Sequence, residues 1–242
     1  MAYFLPQIHR FFFTSNSMKL CRNTLFMFHP VVPFEIGVDQ LLALDLTANN
    51  KAVTETMVND IDLFSAYIDQ CLIDSGARYA IGGYNEHRTV YSRSRVFDDA
   101  EEPRRLHLGI DIWGHAGTPV FAPLNGVVHS FGFHETYGDY GAVIILQHEW
   151  EGEVLHTLYG HLSFHDLDEL YEGKAIYKGE AIAHFGEPHE NGHWPPHLHF
   201  QLIKDMQGKV GDYPGVCKFS EREQYLSNCP DPSIILKNTF YK

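Results

Sequence analysis

Apolar residues recur at three- and four-residue steps between residues 36 and 75, most clearly from Val53 onward. This spacing places them on one face of an amphipathic helix, with Asp69 toward water. Gly76 follows the pattern, and glycine is a common residue just past the end of a helix. The pattern therefore predicts a helical segment that ends at Gly76, preceded by an irregular arm with one short strand over residues 1–35.

Beyond Gly76 the pattern changes to short apolar runs separated by glycine and proline. The runs include TPVFAP, GAVIILQHEW and HLHFQLI, and residues 88–97 show a partial alternation typical of a strand. Many short strands at close spacing indicate a β-sandwich or barrel. We therefore predict a mainly β fold: an antiparallel sandwich or barrel-like domain over residues 76–242, with an irregular arm and a small helical appendage over residues 1–75. For residues 220–236 we predict a short helix, a proline-rich turn and an apolar segment.

The overall charge is acidic, with a formal net charge of −13. An acidic protein is poorly suited to bind nucleic acid or an anionic membrane surface, because both attract a basic face. The sequence contains no run near the roughly 18 apolar residues that span a membrane. Its N-terminal apolar runs are interrupted by proline, histidine and arginine, which is atypical of an export signal. We therefore expect a cytoplasmic protein, with the periplasm or secretion as the alternative.

The four cysteines are scattered through the chain and form no Cys-x-x-Cys pair. Scattered cysteines in a chain of this length favour a reducing compartment and free, mostly buried thiols. A disulfide between Cys217 and Cys229 is the alternative.

Histidine is frequent, with 16 residues, so only the arrangement of individual histidines can identify a site. The informative ones lie in three stretches: LHLGIDIW contains His107 and Asp111, LYGHLS contains His161, and PPHLHF contains His197 and His199. Two imidazoles and a carboxylate are ligand types that zinc accepts at an open, catalytic site. Further histidines beside such a site would supply the acid and base groups of a hydrolase.

Strand geometry limits how these residues can meet. In a strand, His197 and His199 lie on one face about 6.6 Å apart, which suits one metal ligand with an acid/base partner beside it. His107 and Asp111 would lie about 13 Å apart in a straight strand, too far to share one ion through bonds of about 2 Å. The chain must therefore bend near Gly109, or His107 must lie in a loop before the strand.

Several segments resemble the lysostaphin-type zinc endopeptidase family: HLGIDI, AGTPVFAPLNGVV, DYGAVIILQH, LYGHLS and HLHF. The resemblance implies a compact antiparallel β domain with one zinc ion in a groove. It implies that His107, Asp111 and His199 hold the ion, and that His161 and His197 act on the activated water and the developing oxyanion. The substrates of that family are usually the peptide cross-bridges or stems of bacterial cell wall.

The chain also departs from the pattern of this family. The approach to HLHF is GEPHENGHWPP, which is longer and bulkier than usual and is stiffened by Pro195 and Pro196. Trp194 in this loop is a candidate substrate contact, and Gln201 stands where an acidic residue is common. The loop and the later GDYPGVC segment also resemble lysostaphin-like modules found beside kinase-like and aminotransferase-like domains, which supports a cytoplasmic substrate.

The sequence thus predicts a zinc metallopeptidase that cleaves a peptide bond by attack of zinc-activated water, with a peptidoglycan-type peptide as the leading substrate. The alternatives are a cytoplasmic hydrolase of a small amide or peptide, and a catalytically idle zinc-binding regulatory module. A structural zinc prefers four protein ligands, so two spare histidines favour an enzyme. A histidine phosphocarrier, a third alternative, would leave His107 and Asp111 without a role.

Overall fold

Strands form most of the regular structure in the computed structural model, which describes residues 27–99 and 101–240 without the side chains at 238 and 239. The described strands are β1 (Leu41–Leu44), β2 (Tyr79–Gly82), β3 (Leu106–His107), β4 (Ile110–Trp113), β5 (Pro119–Phe121), β6 (Gly126–His134), β7 (Gly141–Trp150), β8 (Glu153–Leu162), β9 (Ala175–Ile176), β10 (Ala181–His184), β11 (His197–Ile203) and β12 (Val216–Cys217). The described helices are α1 (Glu55–Val58), α2 (Ile61–Ser75), α3 (Arg222–Asn228) and α4 (Ser233–Phe240). The predicted mainly β fold with a small helical segment is confirmed.

Eight of the described strands join in one large sheet, in the order β1-β2-β4-β11-β8-β7-β6-β9. Its neighbouring strands are antiparallel except β1 and β2, which are parallel. The pairs β5–β10 and β3–β12 form two small antiparallel sheets. The central strand β11 therefore has a paired strand on each side.

Both faces of the large sheet are covered, and β11 is buried along its whole length. On one face, Leu198 and Phe200 share a core cluster with Val120 of β5 and Ala183 of β10. On the other face, which we call the α2 face, α2 and the β3–β12 pair provide the cover. Successive side chains of a strand point to opposite faces. The polar residues of β11 therefore project into the α2 face, between apolar clusters.

Helix α2 has a capping residue at each end. The side chain of Asp60 accepts hydrogen bonds from the backbone N–H groups of Asp62 and Leu63, each at 3.1 Å. Gly76 ends the helix in the left-handed conformation, with φ 65°, so the predicted glycine stop is confirmed. The buried residues of α2 are Phe64, Ile68 and Leu72.

The first part of the predicted helical segment is wrong. Leu41–Leu44 form β1, in which Leu41 lies opposite Tyr79 of β2. Three leucines in four residues are compatible with a strand as well as a helix. Here the segment is a strand because it pairs with β2 at the edge of the sheet. Because β1 and α2 pack on the same sheet as β4, the segment before residue 76 adjoins the β domain directly. The domain boundary there stays a prediction.

The predicted strand over residues 88–97 is also wrong. The chain forms 3₁₀ turns at Val90–Arg93 and Arg95–Phe97. Arg88 and Arg93 are buried. These two polar positions of the alternation therefore do not face water, as they would in a half-exposed strand.

The predictions for the two ends have different outcomes. The short helix expected after residue 220 is confirmed as α3, and the final apolar segment is a helix, α4. Cys217 and Cys229 are buried and free, as predicted. The predicted arm over residues 1–35 lies mostly outside the described residues, and residues 27–35 contain neither helix nor strand. In the described ranges, the longest apolar helix is too short to cross a lipid bilayer.

Candidate metal centre and active site

The pairing of β4 with β11 aligns two polar positions on the α2 face. Asp111 lies opposite His199, and Trp113 lies opposite His197. Directly opposed residues in antiparallel strands have Cβ atoms about 4.5–5.5 Å apart, so their side chains touch. His197 and His199 share one face, as predicted, and the intervening Leu198 belongs to the core of the other face.

The chain bends between β3 and β4, as a shared site requires. β3 ends at His107 and pairs with β12, whereas β4 begins at Ile110 in the large sheet. Gly109 lies in the bend. A Cβ atom at this position would lie 2.6 Å from the ring of His199 and 2.8 Å from the carbonyl oxygen of Phe200. Glycine is therefore the residue that leaves room for the imidazole of His199.

Three buried side-chain atoms converge next to this bend. Nε2 of His107 lies 2.9 Å from Nδ1 of His199 and 3.1 Å from Oδ1 of Asp111. Nδ1 of His199 lies 3.0 Å from the same Oδ1. The three residues are at most 3% exposed. Within the described ranges, they form a group whose spacing can hold a metal ion.

In each imidazole, the ring nitrogen that points away from the triangle faces a hydrogen-bond acceptor. The nitrogen that points into the triangle therefore presents a lone pair. Nδ1 of His107 lies 2.9 Å from the carbonyl oxygen of Gly83, an acceptor, so the proton is on Nδ1 and not on Nε2. Nε2 of His199 lies 2.9 Å from Oε1 of Gln201, so in the tautomer that donates to Gln201 the lone pair of the ring is on Nδ1. An ionised Asp111 only accepts hydrogen bonds. With the two rings in these tautomers, no hydrogen bond joins the three atoms.

Three lone pairs that face one another in a buried triangle repel one another, and a cation bound between them would remove this repulsion. The ligands of tetrahedral zinc, at bonds of about 2.0–2.1 Å, lie about 3.3 Å apart, close to the separations found here. Two nitrogens and one carboxylate oxygen suit zinc better than calcium or magnesium, which prefer oxygen ligands. The side chains of His107, Asp111 and His199 therefore fit a zinc ion.

The protonation states of the triangle agree with metal binding. Burial alone would raise the pKa of the Asp111 carboxyl group, but the positive charge of the neighbouring Arg88 holds that pKa well below its usual value. Burial lowers the pKa of His107 to about 4, so this imidazole is neutral near pH 7. Carboxylate and neutral imidazole are the forms that bind metal.

His161 reaches the site from an irregularity in β8. The register of β7 and β8 shifts between Ala142 and Ile144, and His161 has φ 63°, in the left-handed region that non-glycine residues seldom adopt. A bulge of this kind re-aims a side chain of a strand. Nδ1 of His161 donates to the carbonyl oxygen of Asn191 at 2.8 Å, which leaves Nε2 as a free acceptor. Burial, reinforced by neighbouring His197, lowers the pKa of His161 well below its usual value.

Like His161, His197 is held by a hydrogen bond from Nδ1 to a backbone carbonyl oxygen. Its Nδ1 donates to the carbonyl oxygen of Pro195 at 2.8 Å, so Nε2 is again the unprotonated nitrogen. Burial lowers the pKa of His197 to about 4. The two imidazoles lie with ring centroids 4.1 Å apart and line the same cleft as Asp111 and His199. The structure thus brings together all five residues predicted from the sequence, as a triangle with two neutral imidazoles beside it.

Part of the chain matches a known protein family. The model of Peptidase family M23 matches residues 105–210. This part of the chain belongs to peptidase family M23. The resemblance to lysostaphin-type enzymes is therefore confirmed.

Relatives of the M23 domain include two curated peptidases. The DD-carboxypeptidase/endopeptidase Mpg of Neisseria meningitidis serogroup B is 34% identical over 126 residues, 50% of this chain and 26% of that protein. The L-Ala--D-Glu endopeptidase of Bacillus subtilis is 29% identical over 125 residues, 49% of this chain and 36% of that protein. A zinc-containing peptidase from Vibrio cholerae of known structure is 28% identical, with a TM-score of 0.32 over 40% of this chain and 27% of that chain. The chain spans about a quarter to a third of the length of the curated relatives it matches.

Asp111, His161, His197 and His199 line a cleft of about 170 Å³. Residues 88–104 supply one part of its lining and residues 212–216 another, and both segments lie outside the matched range 105–210. Trp194 also lines the cleft, but it is 3% exposed and its indole N–H donates to the carbonyl oxygen of Gly138 at 3.2 Å. Its substrate contact stays a prediction.

Sequence reasoning missed several residues around the M23 histidines. Gly83 contacts His107, and Arg88 contacts Asp111. Both residues precede the family motifs, and no pattern in the sequence marks them. The ring of Tyr140 lies 5.3 Å from that of His199, between centroids. Tyr140 lies in the DYGAV segment, where its place inside a family motif was a usable signal.

Proposed function

We propose that the chain is a zinc-dependent metallopeptidase in which His107, Asp111 and His199 hold one zinc ion, and His161 and His197 act on the reacting groups. The observation that carries this proposal is the buried triangle of lone pairs, which no hydrogen bond satisfies, beside two neutral imidazoles. Membership of residues 105–210 in peptidase family M23 supports the same activity.

The chain's own residues would handle the protons of the reaction. When bound, zinc supplies a Lewis acid that polarises a substrate carbonyl and makes water acidic. His161 and His197 each offer an unprotonated Nε2, and such a nitrogen can take the proton of the attacking water. The imidazole that takes it becomes a donor, able to hydrogen-bond the developing oxyanion or protonate the leaving amine. The carbonyl oxygens of Asn191 and Pro195 hold the two rings in orientation throughout.

A peptidoglycan-type peptide is the leading substrate. The relatives are named DD-carboxypeptidase/endopeptidase and L-Ala--D-Glu endopeptidase, and these names support a peptide substrate with such bonds. The resemblance to lysostaphin-type enzymes supports the same class of substrate.

The shape of the cleft favours a second candidate, a short peptide or other small amide. A volume of about 170 Å³ is well below the roughly 300–1,000 Å³ of sites for drug-sized ligands. The linings from residues 88–104 and 212–216 add walls beyond the matched domain. A cleft of this size suits one or two residues of substrate, and a cytoplasmic location would agree with a small substrate.

Two sets of substrates test the proposal with zinc-loaded protein: purified wall fragments with their stem peptides, and a panel of intracellular dipeptides and short peptides. We expect cleavage that His161→Ala reduces about 10²–10⁴-fold, because a general base contributes this much, while zinc stays bound. His184→Ala is the matched control, since His184 pairs with Asp166 on the surface and is 49% exposed.

The pattern of cleavage then selects the substrate. Cleavage of wall fragments alone supports the leading candidate, and cleavage of short peptides alone supports the second. If the zinc-loaded protein cleaves neither and His161→Ala changes nothing, a zinc-binding regulatory module replaces the peptidase.

A further inference from the structure

We propose that Arg88 is a positioning residue of the metal centre, and that the segment from Gly83 to Arg88 holds two of the three proposed ligands in place. This inference rests on the proposed function, because it concerns the same zinc site. Both residues lie before the range 105–210 that matches peptidase family M23. The segment therefore adds to the site from outside the family's domain.

Arg88 is a cation inside the protein, with 1% of its surface exposed. Its guanidinium group contacts Oδ2 of Asp111, and its Nε donates to Oε2 of Glu86 at 2.6 Å. Its Nη1 also donates to the hydroxyl oxygen of Tyr91 at 3.3 Å. A buried charge is tolerated where several partners surround it. These partners also fix the position and the plane of the guanidinium group.

The contact with Arg88 leaves Asp111 a single oxygen for a metal ion. Oδ1 faces Nε2 of His107 and Nδ1 of His199, whereas Oδ2 is held by the guanidinium group. A carboxylate held in this way cannot turn to present both oxygens to one ion. Arg88 thereby keeps the number of protein ligand atoms at three and a position open for water.

The same segment orients His107. The carbonyl oxygen of Gly83 accepts from Nδ1 of His107 at 2.9 Å, which fixes the tautomer and the plane of the ring. The backbone N–H of His107 donates to the carbonyl oxygen of Glu86 at 2.9 Å, so the segment is tied to β3. Gly82, just before the segment, lies opposite Asp111 in the β2–β4 pair. The carbonyl group of Gly83 and the guanidinium group of Arg88, five residues further along the chain, thus hold the two ligands.

A purely structural ion pair is the alternative role for Arg88. Such a pair would stabilise the folded chain to the same degree with and without metal. A positioning role predicts, in addition, a change in the affinity and the coordination of the bound metal. Measurements on the metal therefore separate the two roles.

Zinc affinity, measured by competition with a chelator, provides the first test. We expect Arg88→Gln to weaken zinc binding about 10–100-fold, the usual effect of losing a partner of a metal ligand. Arg88→Lys keeps the charge but loses the separate nitrogens that contact Asp111 and Glu86, and should bind zinc with intermediate affinity. Arg78→Gln is the matched control, because Arg78 pairs with Asp39 at 2.7 Å and is 42% exposed. Arg88 variants that fold and bind zinc as tightly as this control overturn the proposal.

The zinc-loaded wild-type protein provides a second test that needs no variant to fold. X-ray absorption at the zinc edge should show about four ligand atoms, and the cobalt-substituted protein should have the visible spectrum of a tetrahedral ion. A second oxygen of Asp111 bound to the metal overturns the proposal. A wild-type protein that binds zinc but cleaves nothing refutes the peptidase and leaves the positioning role standing, whereas one that binds no zinc refutes both.

Discussion

The imidazole of His197 lies nearly parallel to the indole of Trp113, with ring centroids 3.9 Å apart and 15° between the planes. The register of β4 and β11 produces this stack, because the two residues are directly opposed. The ring of His161 contacts the same imidazole, and the carbonyl oxygen of Pro195 fixes its rotation. The direction of Nε2 of His197 is therefore set by the fold before any substrate arrives.

Replacing Trp113 with leucine should slow hydrolysis without releasing zinc. An aromatic pair contributes about 0.5–1.5 kcal/mol, so loss of the stack should lower the rate about 2- to 10-fold. Zinc affinity should stay at the wild-type level, because the indole is not among the proposed ligands. In proton NMR, the ring protons of His197 should lose the upfield shift that the indole causes.

Trp150→Leu is the matched control for this experiment. Trp150 contacts Phe28 at 5.8 Å between ring centroids, and it is not among the residues that line the cleft. Both variants remove a packed indole and lower stability. Equal rates of hydrolysis in the two variants would show that the stack does not orient His197.

Part of this site could be predicted from the sequence because it depends on strand geometry alone. The two-residue period of a strand places His197 and His199 on one face. The length of a straight strand between His107 and Asp111 requires a bend near Gly109, where the structure has it. These statements need no knowledge of which strands are neighbours.

The remainder depends on contacts between distant parts of the chain. The stack on Trp113 follows from the register of two strands, and register is a long-range property. Arg88 is buried because Asp111 and Glu86 surround it, but its alternating neighbours made the segment resemble a strand. Local pattern does not reveal a cation whose partners come from elsewhere in the fold.

Gly109→Ala should weaken the proposed metal site. The added methyl group would lie 2.6 Å from the ring of His199, and the backbone of Phe200 at 2.8 Å prevents it from moving aside. Overpacking of this kind costs about 1–3 kcal/mol of stability, and displacement of His199 should lower zinc affinity by about tenfold or more. Competition with a chelator measures the change.

Gly126→Ala is the control, because it makes the same substitution at a glycine that does not line the cleft. Its methyl group would clash with the carbonyl oxygen of Gln147 and the ring of His148, so it also overpacks a strand. We expect this variant to lose stability but to bind zinc like the wild type. The close approach of Gly109 to His199 is unimportant if the two alanine variants bind zinc equally well.

Removal of metal should lower the thermal unfolding temperature and abolish hydrolysis. A ligand that binds only the folded state stabilises it by about 2.7 kcal/mol at 100 times its Kd, which is about 5–10 °C for a chain of this length. Zinc should restore both properties after chelation, and magnesium should not, because two of the three ligand atoms are nitrogens. Differential scanning calorimetry with and without chelator measures the shift.

Two histidine variants complete that experiment. His199→Gln should lose the response to zinc, whereas His184→Gln, with a side chain 49% exposed on β10, should retain it. An active enzyme whose activity and unfolding temperature survive chelation would contradict the metal-dependent mechanism.

The stability of the metal-free protein should fall as the pH is lowered, and buried His148 should contribute to the fall. Burial lowers the pKa of His148 below its usual 6.5, against the opposing effect of its hydrogen bond to the carbonyl oxygen of Asn125. Between the folded pKa and 6.5, the unfolded chain binds a proton that the folded chain does not. The contribution to the free energy of unfolding is therefore complete above pH 6.5 and is lost progressively as the pH falls below it.

Urea unfolding between about pH 7.5 and pH 5.5 should show a shallower pH dependence in His148→Gln than in the wild type. His165→Gln makes the same change at a side chain 72% exposed, and an equal slope in the two variants would show that burial of His148 does not couple folding to pH.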